Sequence, residues 1–173
     1  MAELARLFVH LAFLKRGPQD VPASVLLLVV LILVTLALYA IAGSVLDLEL
    51  GKLIGSAALM LALTMLLTGA ILSLASRPHR FLQTAIAIAG AELVLMPIGC
   101  LFLALERPYR GGVDYPDWLL FAEGVFLAWD VAIVGHIYRS ALERSLLAGI
   151  LLSVACAIIV SSTVALVFPA PAA

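Results

Sequence analysis

The sequence predicts an all-α membrane protein, a bundle of about five transmembrane helices preceded by a short amphipathic helix at the membrane interface. The chain of 173 residues is 65% hydrophobic and 12% charged, whereas soluble domains are about 45–50% apolar. Its mean hydropathy is +1.21, and it contains five apolar runs, each near the roughly 20 residues that a spanning helix needs. Nearly every charge lies between these runs, so residues 1–173 are predicted to form a single transmembrane domain.

The first element, residues 2–15, has the pattern of an amphipathic helix. Glu3, Arg6 and His10 fall on one arc at 100° per residue, and the large apolar residues face elsewhere. Such a helix lies on the membrane surface. The basic, turn-like segment 15–18 follows instead of a cleavage site, so the sequence does not predict a signal peptide.

A polar link separates the first two spans. The first span is predicted at about 21–42, after a proline-rich turn that breaks the N-terminal helix. The second is predicted at about 53–75 and opens with Gly51 and Gly55, whose spacing allows a neighbouring helix to approach closely. The link between them holds three charged residues: Asp47, Glu49 and Lys52.

The last three spans are joined by connections of unequal length. The third span, at about 81–105, follows a very short basic turn. The longest connection, 106–117, is rich in glycine, proline and charged residues and precedes the fourth span at about 118–138. The fifth span, at about 145–168, ends in a tail of alternating proline and alanine.

Basic residues are divided unequally between the two sides of the predicted bundle. With five alternating spans, seven lie on the side of the N-terminal segment: Arg6, Lys15, Arg16, Arg77, Arg80, Arg139 and Arg144. Three lie on the other side: Lys52, Arg107 and Arg110. The richer side is normally cytoplasmic, so the N-terminus is predicted in the cytoplasm and the C-terminus outside.

Three carboxylic acids interrupt spans that contain no Lys or Arg. Glu92 lies near the middle of the third span, and Glu123 and Asp130 lie in the fourth. An ionised carboxylate in mid-membrane costs about 2.5–3.5 kcal/mol even on the lenient insertion scale, so each acid should face protein or water. Helical spacing predicts that the acids are neighbours and form a proton or cation site, with Glu92 and Asp130 as the stronger candidates and Glu123 and His136 as the weaker ones.

A structural interpretation of the acids is the alternative. Each could be protonated and hydrogen-bonded to the next helix, or paired with a basic residue of a partner subunit. Neither a catalytic group, a cofactor nor a metal site is predicted, because the sequence lacks the usual hydrolase, metalloprotease and nucleotide-binding motifs. Cys100 and Cys156 form no metal-binding or disulfide pattern.

The turn between the second and third spans is a candidate for binding lipid phosphates. Its basic residues are Arg77, His79 and Arg80, although short cytoplasmic loops are basic for topological reasons alone. The expected partners are membrane lipids and either further copies of the chain or another membrane protein. Nucleic-acid binding is not predicted.

Several short stretches carry a family resemblance. They are Arg80-Phe81-Leu82-Gln83-Thr84-Ala85, Pro97, Trp129-Asp130-Val131, Gly135-His136 and Arg139-Ser140-Ala141-Leu142. With the surface N-terminal segment and five tightly connected spans, the chain resembles small bacterial members of the Yip1 family. The resemblance implies a five-span bundle in the bacterial inner (cytoplasmic) membrane. The region through which eukaryotic members bind small GTPases has no counterpart here, so the resemblance leaves the bacterial function open.

Three functions follow as hypotheses. The first is a non-enzymatic, Yip1-like membrane protein that organises or assists other membrane components. The alternative is a small proton- or cation-coupled carrier that uses Glu92 and Asp130. The third is an intramembrane enzyme that acts on lipids through Glu92, Asp130 and His136.

Overall fold

The computed structural model describes residues 2–46, 48–109 and 114–169. In this part of the chain there are six α-helices and three short 3-10 turns, and no strand: α1 (Ala2–Ala12), α2 (Val25–Val45), α3 (Leu50–Leu74), α4 (Phe81–Glu106), α5 (Asp117–Leu142) and α6 (Leu146–Val167). Helices α2 to α6 are long and apolar enough to cross a membrane, which confirms the predicted class. Asp47, Arg110 and the tail 170–173 lie outside the described residues.

Local capping explains where the first span begins. Val21 precedes Pro22 and keeps an extended backbone, with φ −90° and ψ 135°, as residues before proline prefer. The Ser24 hydroxyl then accepts a hydrogen bond from the backbone N–H of Leu27 (3.3 Å) and caps α2. The first span therefore begins at Val25 rather than at 21.

Helices α1, α3 and α5 end in the same way. Leu14, Ser76 and Glu143 have left-handed backbones, with φ of 60°, 58° and 53°. The N–H of the following residue then bonds the carbonyl five residues earlier, as in the Schellman motif: Lys15 to His10, Arg77 to Leu72 and Arg144 to Arg139. This motif ends α1 at Ala12 instead of at residue 15, and it ends α5 at Leu142 instead of at 138.

Helix α4 is the centre of the bundle. It contacts α1, α2, α3 and α5, and residues 84–91 are all buried. Half of this segment is alanine, with one glycine at Gly90, so neighbouring backbones can approach closely. This stretch of small residues therefore lets the neighbouring helices pack closely against α4.

The apolar face of α1 packs on α4. Phe8 and Leu11 are buried, and the ring of Phe8 lies against Gly90. The indole N–H of Trp129 also donates a hydrogen bond to the carbonyl oxygen of Ala12 (3.0 Å). The amphipathic helix is present as predicted, but protein rather than lipid covers this part of its apolar face.

Helices α5 and α6 form a close hairpin. A Cβ at Gly149 would lie 2.2 Å from the carbonyl oxygen of Gly135, and a Cβ at Gly135 would lie 2.9 Å from the Cα of Ile150. The two glycines therefore set the separation of α5 and α6. The buried hydroxyls of Thr68 and Tyr138 share a hydrogen bond of 2.9 Å, which joins α3 to this hairpin.

Replacing Gly149 with alanine should separate α5 from α6. The new methyl group would contact the backbone of α5, which cannot shift there without moving the helix. We therefore expect Gly149→Ala to destabilise the protein by about 1–3 kcal/mol and to lower its Tm in detergent. Gly124→Ala is the matched control, because nothing lies within 4 Å of a Cβ at Gly124 in α5. Equal melting temperatures for the two variants would contradict the close contact.

Candidate intramembrane acidic site

Contacts between connections align the helices at one end of the bundle, called the basic end below. The Arg80 guanidinium donates hydrogen bonds to the carbonyl oxygens of Ser140 (3.4 Å) and Ala141 (3.1 Å), close to the end of α5. The side-chain amide of Gln83 donates to the carbonyl oxygen of Val21 (3.1 Å). The starts of α2 and α4 and the end of α5 therefore lie at a similar level.

A cavity of about 310 Å³, called the acidic cavity below, lies among α2, α3, α4 and α5, and both Glu92 and Asp130 line it. At about 1.5 Å per residue, Glu92 lies about 17 Å from the start of α4 and Asp130 about 18 Å from the end of α5. The two acids are thus at one level, near the middle of α4 and of α5. The structure brings this pair together, as helical spacing predicts.

The cavity extends from the acids toward the end opposite the basic end. Leu53 and Leu103, near the ends of α3 and α4 on that side, line its far part. On the basic side of the acids the core is filled by side chains with no exposed surface: Leu72, Ile86, Ile133 and Ile137. Glu92 and Asp130 consequently lie at the inner, closed end of the cavity.

Two hydroxyl groups from α2 also line the cavity. Thr35 and Tyr39 both face the cavity. Thr35 is only 5% exposed and its Oγ1 has no hydrogen-bond partner. A buried hydroxyl without a partner costs about 1–3 kcal/mol, so a ligand that bonds Thr35 would recover this energy. Carboxylate and hydroxyl oxygens together suit a proton or a hard cation.

Thr35 and Tyr39 were not among the residues that the sequence predicts at a site. Their pattern in the sequence could have identified them, because they are the polar residues of an otherwise aliphatic run and their spacing of four places them on one helix face. The same face of α2 therefore supplies both groups to the cavity.

The structure does not bring Glu123 or His136 to this pair. Glu123 lies about 9 Å from the start of α5, near the opposite end, and accepts a hydrogen bond from the hydroxyl of Tyr115. His136 lies 3.1 Å from the carbonyl oxygen of Arg16 and lines a separate cleft at the basic end. Within the described residues, moreover, no three His, Cys, Asp or Glu side chains form a metal-binding group.

Two of the three predicted phosphate-binding residues are engaged by a carboxylate. Glu143 accepts hydrogen bonds from Arg77 (2.7 Å) and Arg80 (2.5 Å), while His79 is exposed. These hydrogen bonds lower the pKa of Glu143 from 4.5 to about 2. Sequence reasoning missed this ion pair because its partners are more than 60 residues apart.

No family model, curated protein or solved structure matches this chain.

The thiol of Cys100 should report whether the cavity admits water. Cys100 lines the cavity, whereas Cys156 is buried beside Tyr138. We expect a small, water-soluble methanethiosulfonate reagent to add once per chain, as measured by intact-protein mass spectrometry. The adduct should persist in Cys156→Ala and disappear in Cys100→Ala. An unmodified native protein would show that the cavity is closed to the reagent.

Glu143 should stabilise the fold in a pH-dependent way. Because its pKa is lowered from 4.5 to about 2, its contribution is complete above pH 4.5 and is lost as the pH falls toward 2. We expect Glu143→Gln to lower the Tm at neutral pH, with the difference from the native protein shrinking below pH 4.5. Glu49→Gln, which removes an exposed pair with Lys52 (2.9 Å), should change little at either pH. A constant difference across this pH range would contradict the ion pair.

Proposed function

We propose that this chain is a small multi-pass carrier of the bacterial cytoplasmic membrane that moves a proton or small cation, and that this ion binds between Glu92 and Asp130. One observation carries the proposal. Both acids lie at the closed end of a single cavity near mid-membrane, and no Lys, Arg or His is among its described lining residues.

Electrostatics supports a bound positive charge at this pair. Two ionised carboxylates that face one cavity in a low dielectric repel each other, and no basic side chain of the cavity neutralises them. A proton or cation between Glu92 and Asp130 removes the repulsion. The unpartnered hydroxyl of Thr35 offers a further oxygen ligand.

The position of the cavity supports access from one side at a time. It extends toward the opposite end, while buried apolar side chains separate the acids from the basic end. A carrier must expose its site alternately, and such a layer is where a rearrangement would open the second route. Five spans are few for a carrier, so we propose that it works as a dimer.

The orientation is proposed from charge. Most Lys and Arg residues of the connections lie at the basic end, which by the positive-inside rule is cytoplasmic. The N-terminal segment then lies in the cytoplasm and the C-terminus outside. In this orientation the acidic cavity extends toward the outer face.

The Yip1-like role of organising or assisting other membrane components is the second candidate. Met60 lines the cavity and is 37% exposed at the surface of the bundle. A partner helix that packed at this wall could place a Lys or Arg next to Glu92 and Asp130. The acids would then be a docking site for a partner and not a transport site.

Flux through proteoliposomes tests the carrier. We expect the native protein to dissipate an imposed proton or sodium gradient, and the double variant Glu92→Gln/Asp130→Asn to lose at least about 90% of that flux. Glu123→Gln is the matched control, because this acid is on α5 but bonds Tyr115 outside the cavity. Undiminished flux in the double variant would overturn the carrier.

Affinity purification in mild detergent tests the second candidate. A partner that copurifies with the native protein and with Glu123→Gln, but not with Glu92→Gln/Asp130→Asn, would support docking at the acids. A partner retained by all three proteins would place the interaction elsewhere.

A further inference from the structure

The basic end of the bundle contains a second, larger concavity, the basic cleft, of about 940 Å³. Its walls are the turn after α1, the start of α4 and the end of α5. Two carboxylates, Asp20 and Glu143, line it together with a larger set of cations: Lys15, Arg16, Arg80, Arg139 and Arg144. Its volume is within the range of about 300–1,000 Å³ that is typical of ligand sites.

Both carboxylates of the cleft already have partners. Asp20 pairs with Arg16 (3.4 Å) and accepts a hydrogen bond from the backbone N–H of Gly17 (3.1 Å). Glu143 is occupied by Arg77 and Arg80. Among the described residues, no carboxylate therefore pairs with Lys15, Arg139 or Arg144.

The backbone around the cleft also favours an anion. The cleft includes His79, Arg80, Gln83 and Thr84 at the start of α4, where the helix dipole is positive. The end of α5 would present negative carbonyl groups, but Arg80 covers those of Ser140 and Ala141. The carbonyl groups at the end of α5 therefore do not neutralise the unpaired cations.

We propose that the basic cleft binds a phosphate group at Lys15, Arg139 and Arg144, and that an anionic lipid headgroup supplies it. Three cations that share one cleft and pair with neither of its carboxylates repel each other, and a phosphate bridging them removes this repulsion. Basic pockets between spanning helices at the cytoplasmic side are a known place for lipid headgroups. The proposal does not depend on transport through the acidic cavity.

This site differs from the one that the sequence predicts. Of the predicted set, His79 and Arg80 line the cleft and Arg77 does not. Arg80 is committed to Glu143 and to the end of α5. The phosphate-binding charge comes instead from the turn after α1 and the end of α5, which meet only in the fold.

The test is a thermal-shift titration of the full chain in a neutral detergent. The three probes are short-chain phosphatidylglycerol, short-chain phosphatidylcholine and inorganic phosphate. We expect phosphatidylglycerol to raise the Tm and the other two probes to have little effect. A rise with inorganic phosphate as well would support the phosphate site with a soluble source, and no rise with either anion would overturn it.

Two variants of equal charge test the location. Arg139→Gln/Arg144→Gln removes two cations of the cleft, and we expect about a tenfold or greater loss of affinity for phosphatidylglycerol. Arg6→Gln/Lys52→Gln removes two cations that do not line the cleft and should bind normally. If the first variant does not fold, Lys15→Gln takes its place. Equal losses in the two double variants would overturn the site.

Discussion

Close packing around the first half of α4 is the constraint on which the rest of the bundle depends. Helices in a membrane gain little from the hydrophobic effect, so they associate where backbones approach closely. Residues 84–91 permit this approach, and Gly90 also receives the ring of Phe8. The acidic cavity begins where this segment ends: the next residue is Glu92, and the cavity face of α4 then continues to Leu103. Pro97 lies in the second half of α4, beside the cavity, and removes one backbone hydrogen bond there.

Ion pairing at the basic end has a role distinct from this packing. Glu143 joins Arg77 and Arg80, so the connection from α3 to α4 is held against the connection from α5 to α6. Because those ends are aligned, counting residues inward from them places Glu92 and Asp130 at the same level. The geometry of the intramembrane pair thus follows from contacts made about 17 Å away.

The sequence predicts what depends on one helix at a time. Hydropathy identifies all five long helices, and residue counting identifies Glu92 and Asp130 as neighbours. Contacts between distant segments are harder to predict from the sequence. The pattern of α1 defines an apolar face but does not show that this face packs on α4, and no local feature links Glu143 to Arg77. Glu123 shares a helical face with Asp130, yet seven residues correspond to about 10 Å along the axis, which is enough to move it out of the cavity.

The packing of α1 on α4 has a consequence for how the protein is synthesised and assembled. Its contact at Gly90 belongs to a helix that the ribosome synthesises some 80 residues after Phe8, so α1 emerges long before it can dock. Until α4 inserts, the same apolar face can bind the membrane surface, where amphipathic helices are stable. The apolar face of α1 would then bind the membrane surface in the nascent chain and pack on α4 in the finished bundle. Docking of α1 would be among the later steps of assembly.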